Sequence, residues 1–264
     1  MKTTGMVIDA GFHQDECQDT KGISKTMRFI LFVFFYFIGM TSAHVDTSGR
    51  VPDTMAERVK PCTFCHGAED AAGRDAYYPR IAGKPQGYLF NQLRNFRDGR
   101  RHYQPMAILL ENMSDDYLRA IAHYFSSLQL PYPAPEQISM QPEEIRLAER
   151  LVYSGSPGKD IPACSACHGD NLMGVEPAIP GLLGLSRAYI TAQLGGWRHG
   201  SAMRGQVPDC MSEIARQLTD AEVNALAKWL ASQPVSGRPG SFSRLSPELA
   251  QRCRPNRLED GGTE

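Results

Sequence analysis

A pentapeptide written twice constrains this chain more than any other feature: Cys62-Thr-Phe-Cys-His66 and Cys164-Ser-Ala-Cys-His168. Two cysteines three positions apart, with histidine directly after the second, form the pattern of c-type haem attachment. The chemistry requires that spacing. Two thiols on one short turn add to the two haem vinyl groups as thioethers, and the next residue is then presented to the iron as an axial ligand. Two other readings compete: a pair of Cys-x-x-Cys units can hold zinc, and a single unit can be a thioredoxin-like redox site. The redox site expects a βαβ context, and no run here alternates as a strand. Against zinc stand the histidine that follows each pair and the position of each pair at the head of its own repeat. The pattern predicts two covalently bound haem c groups.

The repeat extends well beyond the motif. Pro79 corresponds to Pro180, Tyr88 to Tyr189, Gln92-Leu93 to Gln193-Leu194, Phe96-Arg97 to Trp197-Arg198 and Gly99 to Gly200. Further on, Met106 corresponds to Met211, Ser114 to Thr219 and Ser127 to Ser232. The expected organisation is a leader at 1–43, a first domain at 44–130, a linker at 131–142, a second domain at 143–233 and an extension at 234–264. The linker is rich in proline and reads as a stiff, extended spacer. Each copy reads as helical. Tyr88, Leu89, Leu93 and Phe96 share one face of a helix at 85–97, and Leu118, Ile121, Phe125 and Leu128 share one at 114–128. Ser114 is an N-cap, Thr219 opens a capping box with Glu222, and a helix over 143–153 opens the second domain.

Within the leader, the apolar run at 29–39 is about half the roughly 20 residues a spanning helix needs. Lys25 and Arg28 precede it, and Thr41-Ser42-Ala43 follows. This is the layout of a secretory signal peptide over about 27–43, cleaved after Ala43; an uncleaved anchor is the alternative. Residues 1–26 fit no part of that layout, and Met27 is expected to be the true start. Export places the mature cysteines in an oxidising compartment. The chain's seven cysteines then divide into Cys17, which leaves with the leader, four at the haem motifs, and Cys210 with Cys253. An even remainder suggests a disulfide between those last two, beside Met211. The 28 basic and 29 acidic residues give a net charge of -1, which argues against a nucleic-acid partner.

His66 and His168 are the expected proximal iron ligands. Met106 and Met211 are the expected sixth ligands, because each stands the same short step before the N-cap of its copy's last helix. Met113, Met140, Met173 and Met203 lack repeat partners and read as filler, with Met203 the nearest rival to Met211. His102, His123 and His199 read as non-ligands. Ile81, Leu93, Leu182, Leu183 and Leu194 are expected to wall the haems. Arg97 and Arg198, equivalent in the repeat, are candidate partners for haem propionates.

On these residues the chain resembles the cytochrome c4 family, tandem class I cytochromes c. The matching stretches are CTFCHG, YPRIAGKPQGYLFNQLRNFRDGRR, PM and MSDDYLRAIAHYFSSL in the first half. In the second they are CSACHG, IPGLLGLSRAYITAQLGGWRHG, CM and LTDAEVNALAKWLASQ, so the likeness covers about 53–233. The resemblance implies an all-α fold of two domains, each wrapped around one haem. It also implies His66/Met106 and His168/Met211 ligation, with the carbonyls of Pro79 and Pro180 accepting hydrogen bonds from the ligand imidazoles. A saturated iron moves electrons and does little other chemistry. The expectation is therefore a periplasmic electron carrier of a Gram-negative type bacterium, not an enzyme. It would dock transiently between a membrane or periplasmic dehydrogenase or bc1-type donor and a terminal oxidase or similar acceptor, with peripheral membrane association left open. A cytochrome subunit of a dehydrogenase complex is the alternative, as is a dihaem peroxidase or thiosulfate dehydrogenase if one iron keeps an open position. Three departures from the family pattern stand out: Cys210 before Met211, the unusual loop GSAMRGQVPDCM, and the tail carrying Cys253.

Overall fold

The computed structural model describes residues 52–67, 75–200, 210–235 and 237. The expected signal peptide, Met27, Cys17, Met203 and Cys253 lie outside them, as do all but three residues of the expected C-terminal extension. In the first copy the helices are α1 (Met55–Arg58), α2 (Lys60–His66), α3 (Gln86–Arg97), α4 (Gln104–Leu110) and α5 (Asp115–Ser127). In the second they are α6 (Pro142–Tyr153), α7 (Cys164–His168), α8 (Arg187–Arg198), α9 (Cys210–Gln217) and α10 (Asp220–Ser232). A single 3-10 turn, Pro157–Lys159, follows α6.

The long helices begin where their caps dictate. The Ser114 hydroxyl accepts from the Tyr117 amide, and Thr219 and Glu222 close a reciprocal capping box at the head of α10. A second box, unforeseen because glutamine replaces the usual hydroxyl residue, joins Gln141 and Glu144 at the head of α6. Each such cap satisfies amides that the first helical turn leaves without partners, which stabilises by about 1 kcal/mol.

Each copy encloses its own core. In the first, α3 crosses α5 and buries Leu89, Phe90 and Phe96 against Leu118, Ile121 and Phe125. In the second, α10 packs on both α6 and α8, burying Leu226, Trp229 and Leu230 against Leu151, Val152, Ile190 and Leu194. Each large side chain so buried contributes roughly 1.5–3 kcal/mol. Beside the helices the described residues include one minimal ladder, consistent with the absence of any alternating run. Gly174–Val175 (β1) pairs antiparallel with Ile179–Pro180 (β2). Two residues are too few for an alternating pattern to show in sequence.

The proline-rich segment is extended, but it is no free spacer. Tyr132, Ile138 and Met140 pack on the second core, and the Glu136 amide donates to the Ala231 carbonyl at 2.9 Å. Arg80, from the first copy, donates to the carbonyls of Leu130 and Pro131 and stacks on the Tyr132 ring at 4.1 Å.

The two copies also meet directly. The Gly87 amide, in the first turn of α3, donates to the Pro177 carbonyl at 3.0 Å. A Cβ at position 87 would lie 2.7 Å from that oxygen, so only glycine permits the approach. Arg101 spans the same boundary, donating to Gln92 at 2.7 Å on its own side and to Gln193 at 2.9 Å and Tyr189 at 3.1 Å across it. Gln92 and Gln193 are repeat equivalents, so one guanidinium bridges corresponding points of both copies.

Candidate haem sites

In each copy the attachment helix is short and ends at its histidine: α2 at His66, α7 at His168. The glycine that follows turns the chain away with φ of 91° at Gly67 and 85° at Gly169, a left-handed region open to glycine at little cost. The histidine therefore ends the helix with its ring free to face inward. His66 Nδ1 lies 2.8 Å from the Pro79 carbonyl oxygen, and His168 Nδ1 lies 2.7 Å from that of Pro180. A carbonyl only accepts, so Nδ1–H donates in both. Burial lowers the pKa of both imidazoles, outweighing the opposite pull of those bonds. Each ring is thus neutral with its lone pair on Nε2, the form and orientation an axial ligand needs.

The two motifs open into one continuous cavity of about 1380 Å³, larger than the roughly 300–1,000 Å³ of a single small-ligand site. Its lining brings together Cys62, Cys65, His66, Pro79 and Met106 from the first copy with Cys164, Cys167, His168, Pro180 and Met211 from the second. Met106 and Met211 sit in the first turns of α4 and α9, so both stand on helices rather than in loops. Their shared place in the repeat is a shared place in the fold. Ile81, Leu93, Leu182 and Leu194 line the cavity as expected. Leu183 does not; it is buried in the second core. Met113 borders the cavity while packing on the first core, and Met173 is buried in the second. His123 and His199 are exposed and away from the cavity, and His102 is exposed at its rim.

The donor set fits covalently held haem. Burial pushes the Cys62 thiol up to about 11 and the Cys164 thiol up to about 12, so both are held as neutral thiols in the apolar wall. Among the described residues no three His, Cys, Asp or Glu side chains converge as a metal cluster. The two Cys-x-x-Cys pairs therefore do not share one tetrahedral site. A largely apolar cavity flanked by thiols, an oriented imidazole and a thioether is suited to a flat, apolar macrocycle.

Arg97 and Arg198 do not line the cavity. Arg97 donates to the Met113 carbonyl at 3.0 Å and to Asp115 at 2.6 Å, and Arg198 pairs with Asp220. Both carboxylates belong to the first residue of a copy's last helix. The repeated arginine is a clasp between helices, and its guanidinium is already committed to that carboxylate. Among the described residues the cations that border the cavity are Arg80, Arg94, Arg100 and Arg119 together with two deeply buried ones, Lys84 and Arg101. Neither of the buried two was foreseen. The available signal was Lys84 standing where the second copy has the apolar Leu185. The tyrosines around His66 were also missed: Tyr78 lies 6.2 Å from its ring, and Tyr103 donates to the Tyr78 hydroxyl at 3.3 Å.

Comparison with known proteins agrees with this geometry. The family model for Cytochrome c matches residues 156–234. A thiosulfate dehydrogenase electron acceptor of Thiomonas intermedia is 41% identical over 176 residues, covering 66% of this chain and 79% of that protein. Cytochrome c4 of Pseudomonas aeruginosa is 30% identical over 170 residues, covering 64% of this chain and 82% of that protein. The crystal structure of reduced cytochrome c4 from Pseudomonas stutzeri superposes with a TM-score of 0.57 at 28% identity, covering 67% of this chain and 95% of the other. With two attachment motifs, two cores and one cavity between them, the chain binds two covalent haem c groups and belongs to the cytochrome c4 family of dihaem c-type electron carriers.

Proposed function

We propose that this cytochrome accepts electrons from a thiosulfate dehydrogenase in the periplasm and passes them singly to a terminal oxidase or similar acceptor. The continuous cavity carries the reading: attachment and ligand residues of both copies line a single space, so the two redox centres lie close enough for an electron to enter at one and leave from the other. The 41% identity to a thiosulfate dehydrogenase electron acceptor supports the donor. The signal-peptide pattern supports the compartment.

Within the site, His66 with Met106 and His168 with Met211 are the axial pairs. The haem irons supply one-electron redox chemistry when bound. The protein's part is to orient the imidazoles through Pro79 and Pro180, exclude water with the apolar walls, and present a thioether that favours a high potential. Cys210 is disulfide-bonded, and its partner lies outside the described residues. The pairing that fits the mature cysteine count is Cys210–Cys253, which tethers the C-terminal extension beside Met211. Mass analysis of unreduced peptides yields the linked pair if this holds, and alkylation of Cys253 in native protein would contradict it.

Mixing oxidised cytochrome with a thiosulfate dehydrogenase and thiosulfate in a stopped-flow cell tests the function. Reduction of both haems, at a rate that rises with enzyme concentration, is expected. No reduction above the rate with thiosulfate alone would eliminate this donor.

A further inference from the structure

We propose that Lys84, a residue of the first domain, sets the reduction potential of the haem held by the second. Lys84 precedes α3 and is 5% exposed. Its Nζ crosses the domain boundary to donate to the Gly181 carbonyl at 2.8 Å. Gly181 directly follows Pro180, whose carbonyl orients His168. The ammonium therefore lies beside the backbone that holds the second haem's imidazole, on the wall of the cavity that receives the haem.

No carboxylate of the described residues pairs with this ammonium, and the charge it feels from the protein is that of the cationic Arg80. Burial, with Arg80 adding to it, lowers the Lys84 pKa to about 7. A buried cation without an anion is costly. A haem bound in this cavity would bring anionic propionates that relieve that cost. A positive charge held in a low-dielectric wall beside an axial imidazole favours the ferrous over the ferric iron, because the ferrous state carries one positive charge fewer. Its repeat equivalent, Leu185, has no charge, so the effect runs in one direction across the interface. Arg101 is a cation of the first domain near His66, and it stays in place in every variant below.

The test is potentiometric titration of the dihaem protein with Lys84→Gln, Lys84→Met and Lys84→Arg. The two reduction steps are assigned against Cys62→Ser/Cys65→Ser and Cys164→Ser/Cys167→Ser proteins, each holding one haem. Glutamine keeps a donor for the Gly181 carbonyl but removes the charge. The second haem should become about tenfold harder to reduce, equivalent to about 59 mV for one electron. The first should change less than twofold, with both Met–iron charge-transfer bands intact. Arginine should stay near the parent value, and methionine should match glutamine. The proposal is overturned if glutamine and methionine leave the second step in place, if both steps move by the same factor, if arginine behaves like glutamine, or if the shift comes with loss of a Met–iron band.

Discussion

The two halves of this molecule follow one plan with different means. The second core is the larger, built on α6, α8 and α10 around Trp229, and two capping boxes and the Lys159–Glu222 ion pair secure it. The first is smaller and more aromatic, and it leaves apolar side chains exposed: Phe64 inside the attachment motif itself, and Ile108 after Met106. The corresponding motif position in the second copy is Ala166. His168 is buried, whereas His66 is only half-buried. A duplicated domain thus keeps the residues that hold a haem while the surroundings of that haem diverge. Divergence of surroundings is what lets two chemically identical groups differ in potential and exposure.

The largest expected effect separates the two sites. Met106→Ala and Met211→Ala should each convert one haem from low-spin to high-spin and leave the other intact, read by visible and magnetic circular dichroism spectroscopy. Conversion of both haems by one substitution would break the view of two self-contained ligand sets. Next are the cores. Leu118→Ala in the first and Leu226→Ala in the second should each cost about 2–5 kcal/mol in denaturant unfolding. Two resolved transitions, one moved by each variant, would sharpen the comparison into two independently melting domains.

Caps should give smaller differences. Ser114→Ala should cost about 1 kcal/mol, and Thr219→Ala somewhat more, because it also removes a bond to the Glu222 carboxylate. The smallest effect is a pH dependence confined to the second domain. Burial pushes the Glu222 pKa up, but hydrogen bonds from Lys159 and Thr219 outweigh it and hold the carboxyl below its ordinary value. A depressed carboxylate contributes stability above its unfolded pKa and loses it as pH falls through the folded one. Stability of the second domain should therefore decline below about pH 4.5, and Glu222→Gln should flatten that slope in acid denaturation. An unchanged slope would place the acid sensitivity elsewhere.

Local chemistry was legible in the sequence. The helices over 86–97, 115–127 and 220–232 begin at side-chain caps or prolines and carry apolar residues at helical spacing, both of which are short-range signals. The haem motifs are equally local, since thioether attachment needs two thiols and an imidazole on one turn. Arg97 and Arg198 show where such reading ends. Their equivalence in the repeat was real, but equivalence carries no information about the partner, and the partner proved to be the aspartate that opens each copy's last helix. Leu183 fails for a related reason: apolar character predicts burial without saying on which side of a wall a residue falls.

The sequence by itself determined that there are two haem-binding units, because covalent attachment is written in adjacent residues and duplication in the repeat. Only the tertiary structure decided that the two sites share one cavity, that the proline-rich segment is tied down, and that Lys84 reaches the opposite domain's histidine support. Those facts depend on which surfaces of separate helices come within hydrogen-bonding distance. That is a property of packing between residues nearly a hundred positions apart, and no local pattern encodes it.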